Sequence, residues 1–215
     1  MNSAAAPANE AVSNPSWGTL SRRWWHVAFQ LATRRRMGVT LVVFTTLIVC
    51  DVLLWKSRPC DVLNLTNWAT LAGEALLLIG LFVRSWAAGT LHKSSEITKS
   101  GPYGLVRNPL YIGSFLMMLG FSILLRDWIA MWMVLGPLLA MYLNKVRQEE
   151  IHMARNFPDA WQAYEQSTPR FIPRWSRPNL VGFSFRQWLY NREYQAVFAS
   201  VIGLLALWIW HAATA

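Results

Sequence analysis

The sequence predicts an all-α, polytopic membrane helix bundle of about five transmembrane helices, and three observations carry that expectation. Hydrophobic residues make up 54% of the 215 and charged residues 14%, too few charges to cover a soluble surface. Five apolar runs, at residues 39–55, 68–88, 110–125, 128–143 and 196–212, recur without any strand–helix alternation. Thirteen tryptophans suit a chain with many groups at the membrane–water boundary.

Ahead of the first run the chain divides in two. Residues 1–16 are small, polar and rich in Ala, Asn and Pro, the composition of a disordered N-terminus, and they lack the charged start and apolar core of a signal peptide. Residues 17–37 interleave Arg22, Trp24, Trp25, Phe29, Arg34, Arg35 and Arg36, the pattern of an amphipathic helix lying on an anionic membrane face. Residues 38–215 then form the membrane domain. Beside such runs the net charge of +9 finds its counter-charge in lipid headgroups rather than in nucleic acid. Several runs fall short of the roughly 20 residues of an untilted span. The third and fourth, separated by Arg126-Asp127, read as a tight hairpin extended at its ends by amphipathic turns.

Orientation follows from the cations. Lys56, Arg58 and Arg126 lie in the loops after the first and third runs. The other Lys and Arg fall before the first run, from the end of the second run to the third, or between the fourth and fifth. The positive-inside rule places those segments in the cytoplasm, with the N-terminus inside and the C-terminus outside. Cys50 and Cys60 lack metal-ligand spacing, and the sequence leaves open whether they pair.

The candidate chemistry gathers around residues 101–120, GPYGLVRNPLYIGSFLMMLG. Gly101-Pro102 and Gly104 punctuate a turn, Arg107 supplies a fixed charge, Asn108 stands at an N-cap position, and Pro109 at the first helical position lacks an N–H that would go unused there. A cationic helix start at the edge of an apolar run suits a charged ligand held beside a lipid; an ordinary loop with a snorkelling arginine is the plainer reading. Two polar segments share its side of the membrane. Arg84, Ala88 and His92 recur every four residues and predict one helix face, with Ala87, Ala88 and Gly89 allowing close approach. Residues 144–150, NKVRQEE, place Glu149 and Glu150 about 100° apart on a helix, with Lys145–Glu149 and Arg147–Glu150 as possible local pairs. Glu74, inside the second run, is expected to face other helices. Phe157-Pro158 opens a short helix with Trp161 and Tyr164, Thr168-Pro169 stops it, and Arg170-Phe171-Ile172-Pro173 runs on extended, able to fold back under the bundle. Residues 174–194 are again basic and aromatic.

No dinucleotide fingerprint follows a strand, and the chain holds no P-loop, GxSxG or HExxH. His26, His92, His152 and His211 are scattered, which argues against a shared metal site.

The ordered pattern of GPY, VRNPLYIGS, a helical hairpin, EE, F-x3-W-x2-Y and PRFIP resembles the integral-membrane methyltransferases, which include isoprenylcysteine carboxyl methyltransferases and phospholipid N-methyltransferases. It covers about residues 70–175. Asn108 stands where isoprenylcysteine enzymes show His in RHP, and NPLYIGS is similar to the phospholipid branch, whereas RFIP is similar to the isoprenylcysteine branch; the acceptor atom therefore stays open among carboxylate, amine and thiol. The resemblance implies a cytosol-facing S-adenosylmethionine site and a lipophilic or lipidated acceptor arriving from the bilayer of a bacterial inner membrane. Carried onto this sequence, it makes Tyr103, Arg107, Asn108, Pro109, Tyr111, Gly113, Glu149 and Glu150 the candidate cofactor residues. Arg84, His92 and Arg147 are the candidates nearer the acceptor. Glutamates suit the cationic and hydroxyl parts of the cofactor, and Arg107 with the helix start suits its carboxylate. Tyr103, Tyr111 and Trp161 offer aromatic faces to the adenine or the sulfonium. Two other classes compete: an NADPH-dependent membrane sterol-type reductase, which needs a 2′-phosphate site, and a non-catalytic membrane adaptor, which needs no cofactor. A homo-oligomer stays open.

Overall fold

The computed structural model describes residues 36–50, 58–92, 96–173 and 181–214, so all but the last two residues of the expected N-terminal amphipathic helix lie outside the described part. Within it every regular element is helical: α1 (Arg36–Cys50), α2 (Trp68–Thr90), a 3-10 turn (Gly101–Gly104) and α3 (Pro109–Leu125) come first. They are followed by α4 (Trp128–Asn156), α5 (Pro158–Ser167), α6 (Phe185–Tyr190) and α7 (Tyr194–Ala213). α2, α4 and α7 are long and apolar enough to cross a membrane, while α3, with 17 residues, and α1, with 15, are shorter. Outward-facing Phe82, Trp132, Phe198 and Ile202 are all more than 60% exposed, as expected of side chains whose solvent is lipid. The chain is an integral membrane protein.

α2 and α3 form the most extensive helix pair, because two glycine pairs remove side chains from their seam. A methyl group at Gly113 would lie 2.6 Å from the Gly80 carbonyl oxygen, and one at Gly120 would lie 2.7 Å from that of Gly73. The pairs are seven residues apart on each helix, so the antiparallel backbones touch on every second turn, the small-residue contact that membrane helices favour. The predicted hairpin between the third and fourth runs is present. Arg126 ends α3 in the left-handed conformation (φ 56°) and Asp127 caps α4 through the Ile129 N–H at 2.7 Å.

α4 is one helix from the hairpin to Asn156, with a π-helical stretch at Val134–Leu138 around Pro137. Proline has no N–H for the i−4 carbonyl, and the wider turn accommodates that gap. Two apolar clusters hold the bundle. Met118, Val134, Leu138 and Met141 join α3 to α4, and Cys60, Leu124, Leu125 and Leu207 join α3 to α7 and the loop before α2. At that end Arg58 and the Pro59 carbonyl both reach the His211 ring, at 3.3 and 2.9 Å. Cys50 and Cys60 are free thiols.

One local expectation is corrected. α2 stops at Thr90, and Leu91 is extended, so His92 lies beyond the helix and shares no face with Arg84. The cause is tertiary: Gln187 Nε2 and Asn191 Nδ2 donate to the Leu91 carbonyl at 2.6 and 3.0 Å, Asn191 also reaches the Ala88 carbonyl at 2.7 Å, and Ser184 N–H takes the Gly89 carbonyl at 2.9 Å. These donors satisfy the orphan carbonyls of the last turn and dock α6 on the end of α2.

Candidate functional site

The 3-10 turn, the start of α3, the second half of α4, and α5 with its tail converge on Glu150. This carboxylate is 7% exposed and is met from three directions. Asn108 Nδ2 donates at 3.0 Å, Arg170 donates from Nε at 3.1 Å and from a terminal nitrogen to the other oxygen, and Arg107 Nε stands 3.8 Å away. A buried carboxylate is tolerable only when paired and hydrogen-bonded in this way. Asn108 does occupy the N-cap position of α3, but its side chain makes no cap bond, because its amide is turned to Glu150.

Arg107 is fixed from both sides. Its Nη1 donates to Glu165 at 2.6 Å, its guanidinium carbon sits 5.5 Å from the centre of the Trp161 ring, and its backbone N–H takes the Pro169 carbonyl at 2.9 Å. The Arg107 hydrogen bond holds the Glu165 carboxyl below its ordinary range. Buried Nε of Arg107 has no hydrogen-bond partner. α5 is tied to the turn a second time by Tyr164, whose hydroxyl donates to the Tyr103 carbonyl at 2.7 Å. Burial pushes the Tyr103 phenol well above its usual value, and the nearby Tyr164, Glu149 and Glu193 push the same way; the ring stays neutral within reach of both glutamates.

Of the expected cofactor residues, Tyr103, Arg107, Asn108 and Glu150 come together here, with Glu149 in electrostatic reach of Tyr103. Glu149 also meets Lys145 at 3.6 Å, the expected i,i+4 pair. Pro109 is buried at the helix start. Tyr111 stands edge-on to Tyr142 at 5.8 Å, and Gly113 belongs to the α2–α3 seam. Glu150 pairs with Arg107 and Arg170 and not with Arg147, which is exposed on α4. Arg84 does not snorkel: its Nε donates to Glu193 at 2.5 Å and its Nη1 to Ser114 at 2.5 Å. His92 is exposed, with Nδ1 3.9 Å from Glu96.

Arg170, Glu165 and Glu193 are the partners that sequence reading did not single out. Arg170 sits inside the PRFIP signal, and Glu165 directly follows the tyrosine of W-x2-Y. Glu193 carried a different signal, a lone acid between two aromatics at the mouth of the last apolar run. Among the described residues, no three His, Cys, Asp or Glu are grouped to hold a metal ion.

Comparison with known proteins relates this site to a family. Residues 68–160, which carry Arg107, Asn108, Glu149 and Glu150, match the phospholipid methyltransferase family model. The cobalt-zinc-cadmium resistance protein CzcN of Cupriavidus metallidurans is 34% identical over 149 residues, covering 67% of this chain and 66% of that protein. The nickel-cobalt-cadmium resistance protein NccN of Alcaligenes xylosoxydans xylosoxydans is 29% identical over 150 residues, covering 67% of each. The protein-S-isoprenylcysteine O-methyltransferase of Schizosaccharomyces pombe is 25% identical over 103 residues, 48% of this chain and 44% of that protein. No solved structure matches the chain. In residues 68–160, with the turn, arginine and glutamates they carry, the chain matches the phospholipid methyltransferase family model, and over part of its length it is similar to an isoprenylcysteine methyltransferase.

Proposed function

We propose that the protein is an S-adenosylmethionine-dependent methyltransferase that modifies a lipophilic acceptor at the cytoplasmic face of the membrane. The observation that carries this reading is the Glu150 centre, a buried, multiply hydrogen-bonded charge cluster at the membrane-facing start of α3, inside the family-matched residues. Its donor set fits the cofactor. Glu149 and Glu165 are half-exposed acids for an amino group or ribose hydroxyls, and the buried Nε of Arg107, which makes no hydrogen bond, and the α3 start suit a carboxylate. The Trp161 and Tyr103 rings supply apolar walls.

S-adenosylmethionine, when bound, supplies a sulfonium-activated methyl group that passes to a nucleophile with loss of a neutral thioether. The protein's own part is positioning and exclusion of water. Arg107 and Arg170 neutralise Glu150, so the centre can stay dry. Arg84 lies nearer the acceptor, held by Ser114 and Glu193. His92 is the base available to an amine acceptor, and Arg147 an exposed cation at headgroup level.

The test is calorimetric binding of S-adenosylhomocysteine to detergent-purified protein, with NADPH in parallel. The expected result is binding of the first alone, weakened in Glu149→Gln at unchanged thermal stability, because that side chain is 45% exposed. Binding of NADPH alone moves the case to a reductase, and binding of neither in folded protein ends the reading.

A further inference from the structure

A largely apolar, open-sided chamber of about 600 Å³ lies between α1, α3, α4 and α7, within the roughly 300–1,000 Å³ of small-molecule sites. Two of its walls, α1 with Thr45 and Ile48 and α7, lie outside the family-matched residues. α7 contributes Ala196, Ala199, Gly203 and Ala206, one face of small side chains, while Phe198, Ile202, Leu205 and Ile209 point outward and are more than half exposed. Small residues normally let membrane helices close on one another. Here α7 forms no extensive backbone interface with any described helix. At Gly203 the Phe121 ring takes up the space, 2.9 Å from where a methyl group would stand, and the alanines on either side leave room.

The chamber has one polar end. Arg84 and Ser114 line it, Glu193 pairs with Arg84, and Ser114 is six residues, about 9 Å, along α3 from Asn108 in the Glu150 centre. Leu125 and Trp210 line the far end. From Ala196 to Trp210 the α7 wall runs about 21 Å, against about 15 Å for half the hydrocarbon core. Water finds few partners along such walls, among them Thr45, Tyr142 and Ser200, whereas an alkyl chain gains burial along most of their length.

We propose that this chamber holds the hydrocarbon chain of the acceptor in an extended form, its head at Arg84 and Ser114, and that the small face of α7 sets the longest chain that fits. Naming the occupant as the acceptor rests on the methyltransferase reading; the chain site itself does not.

The experiment uses full-length protein in nanodiscs loaded with palmitic acid carrying a diazirine near its methyl end, irradiated and mapped by mass spectrometry. Labels are expected on Phe121, Gly203 and Trp210. Ala206→Trp should shift them towards Ala196, and Ala199→Trp should abolish them, while labels on outward-facing Phe198 and Ile202 persist. Labels confined to outward-facing residues of the wild type, or unmoved by both tryptophans, overturn the proposal. S-adenosylhomocysteine binding is measured on the same samples. Chamber labelling without it removes the methyltransferase reading and leaves the chain site; binding with no chamber labelling does the reverse.

Discussion

Glu149, Glu150 and Glu165 carry the same charge within one helix–turn–helix, and burial separates what each does. Glu149 and Glu165 are 45% and 49% exposed, and Glu150 is 8% exposed at its side chain. Replacing Glu150 by Ala leaves Asn108 and the buried side of Arg107 over an empty position, while Glu165 still pairs with Arg107 and solvent reaches the half-exposed Arg170. The loss therefore approaches, without reaching, the cost of a wholly uncompensated buried charge, about 3–5 kcal/mol. Glu165→Ala removes a solvent-screened pair worth at most about 1 kcal/mol. Denaturant or thermal unfolding of the two variants should differ accordingly, and equal losses would mean that Glu150 is not the keystone of the site. pH adds a signed test. The Glu165 carboxyl titrates below its ordinary 4.5 in the folded state, so its contribution is present above that value and lost as pH falls through the depressed one. Glu165→Gln should lower stability at neutral pH by that small contribution, at most about 1 kcal/mol, and flatten the corresponding part of the acid limb. The divergence of Glu149 and Glu150 was readable from their 100° separation, and Lys145–Glu149 from its spacing. The partners of Glu150 were not, because local spacing favoured Arg147, while Arg170 arrives only after α5 has folded the chain back.

Helix starts and stops are set by two kinds of cause, and the sequence exposes one of them. Asn108-Pro109, Arg126-Asp127 and Phe157-Pro158 act through local backbone chemistry and mark α3, α4 and α5 where they fall. The end of α2 has no such mark, since Ala87-Ala88-Gly89-Thr90-Leu91 reads as continuing helix. Gln187, Ser184 and Asn191, about a hundred residues later, end it. The glycine seam is likewise a pairwise fact: Gly73, Gly80, Gly113 and Gly120 become a contact only once α2 and α3 are antiparallel. Gly113→Ala drives a methyl group to 2.6 Å from a backbone oxygen and 2.8 Å from Arg84 Cβ. No flexible side chain can yield there, so the helices must separate, displacing Arg84 from Ser114. Gly136→Ala meets nothing within 4 Å and is the matched control. Thermal stability in detergent should fall clearly in the first and little in the second; a Gly113→Ala protein as stable as wild type would mean that the seam is looser than it looks.

At the scale of the whole molecule the bundle has two unlike ends, one carrying the Glu150 centre, α5 and α6, the other carrying Arg58, Cys60 and His211. The cation asymmetry predicts that the first end faces the cytoplasm, where a soluble methyl donor would be supplied. The weak point of that topology is α3, whose 17 residues reach about 26 Å against about 30 Å of hydrocarbon. It makes up the difference if its polar ends, the 3-10 turn and the Arg126-Asp127 corner, sit at the two interfaces. Full packing along α2 from Gly113 to Gly120 supports a crossing rather than a re-entrant loop. Single cysteines at Asn64 and Asp159, both exposed, decide it in a background with Cys50 and Cys60 replaced. Between those positions the chain passes through α2, α3 and α4. Three crossings put the two positions on opposite sides; if α3 fails to cross, they share one. A membrane-impermeant maleimide applied to intact cells should label Asn64→Cys, and Asp159→Cys only after lysis. Labelling of both from outside would reduce α3 to an interfacial helix and cost the Glu150 centre its cytoplasmic address. Labelling of Asp159→Cys alone would keep three crossings and invert the orientation read from the charges.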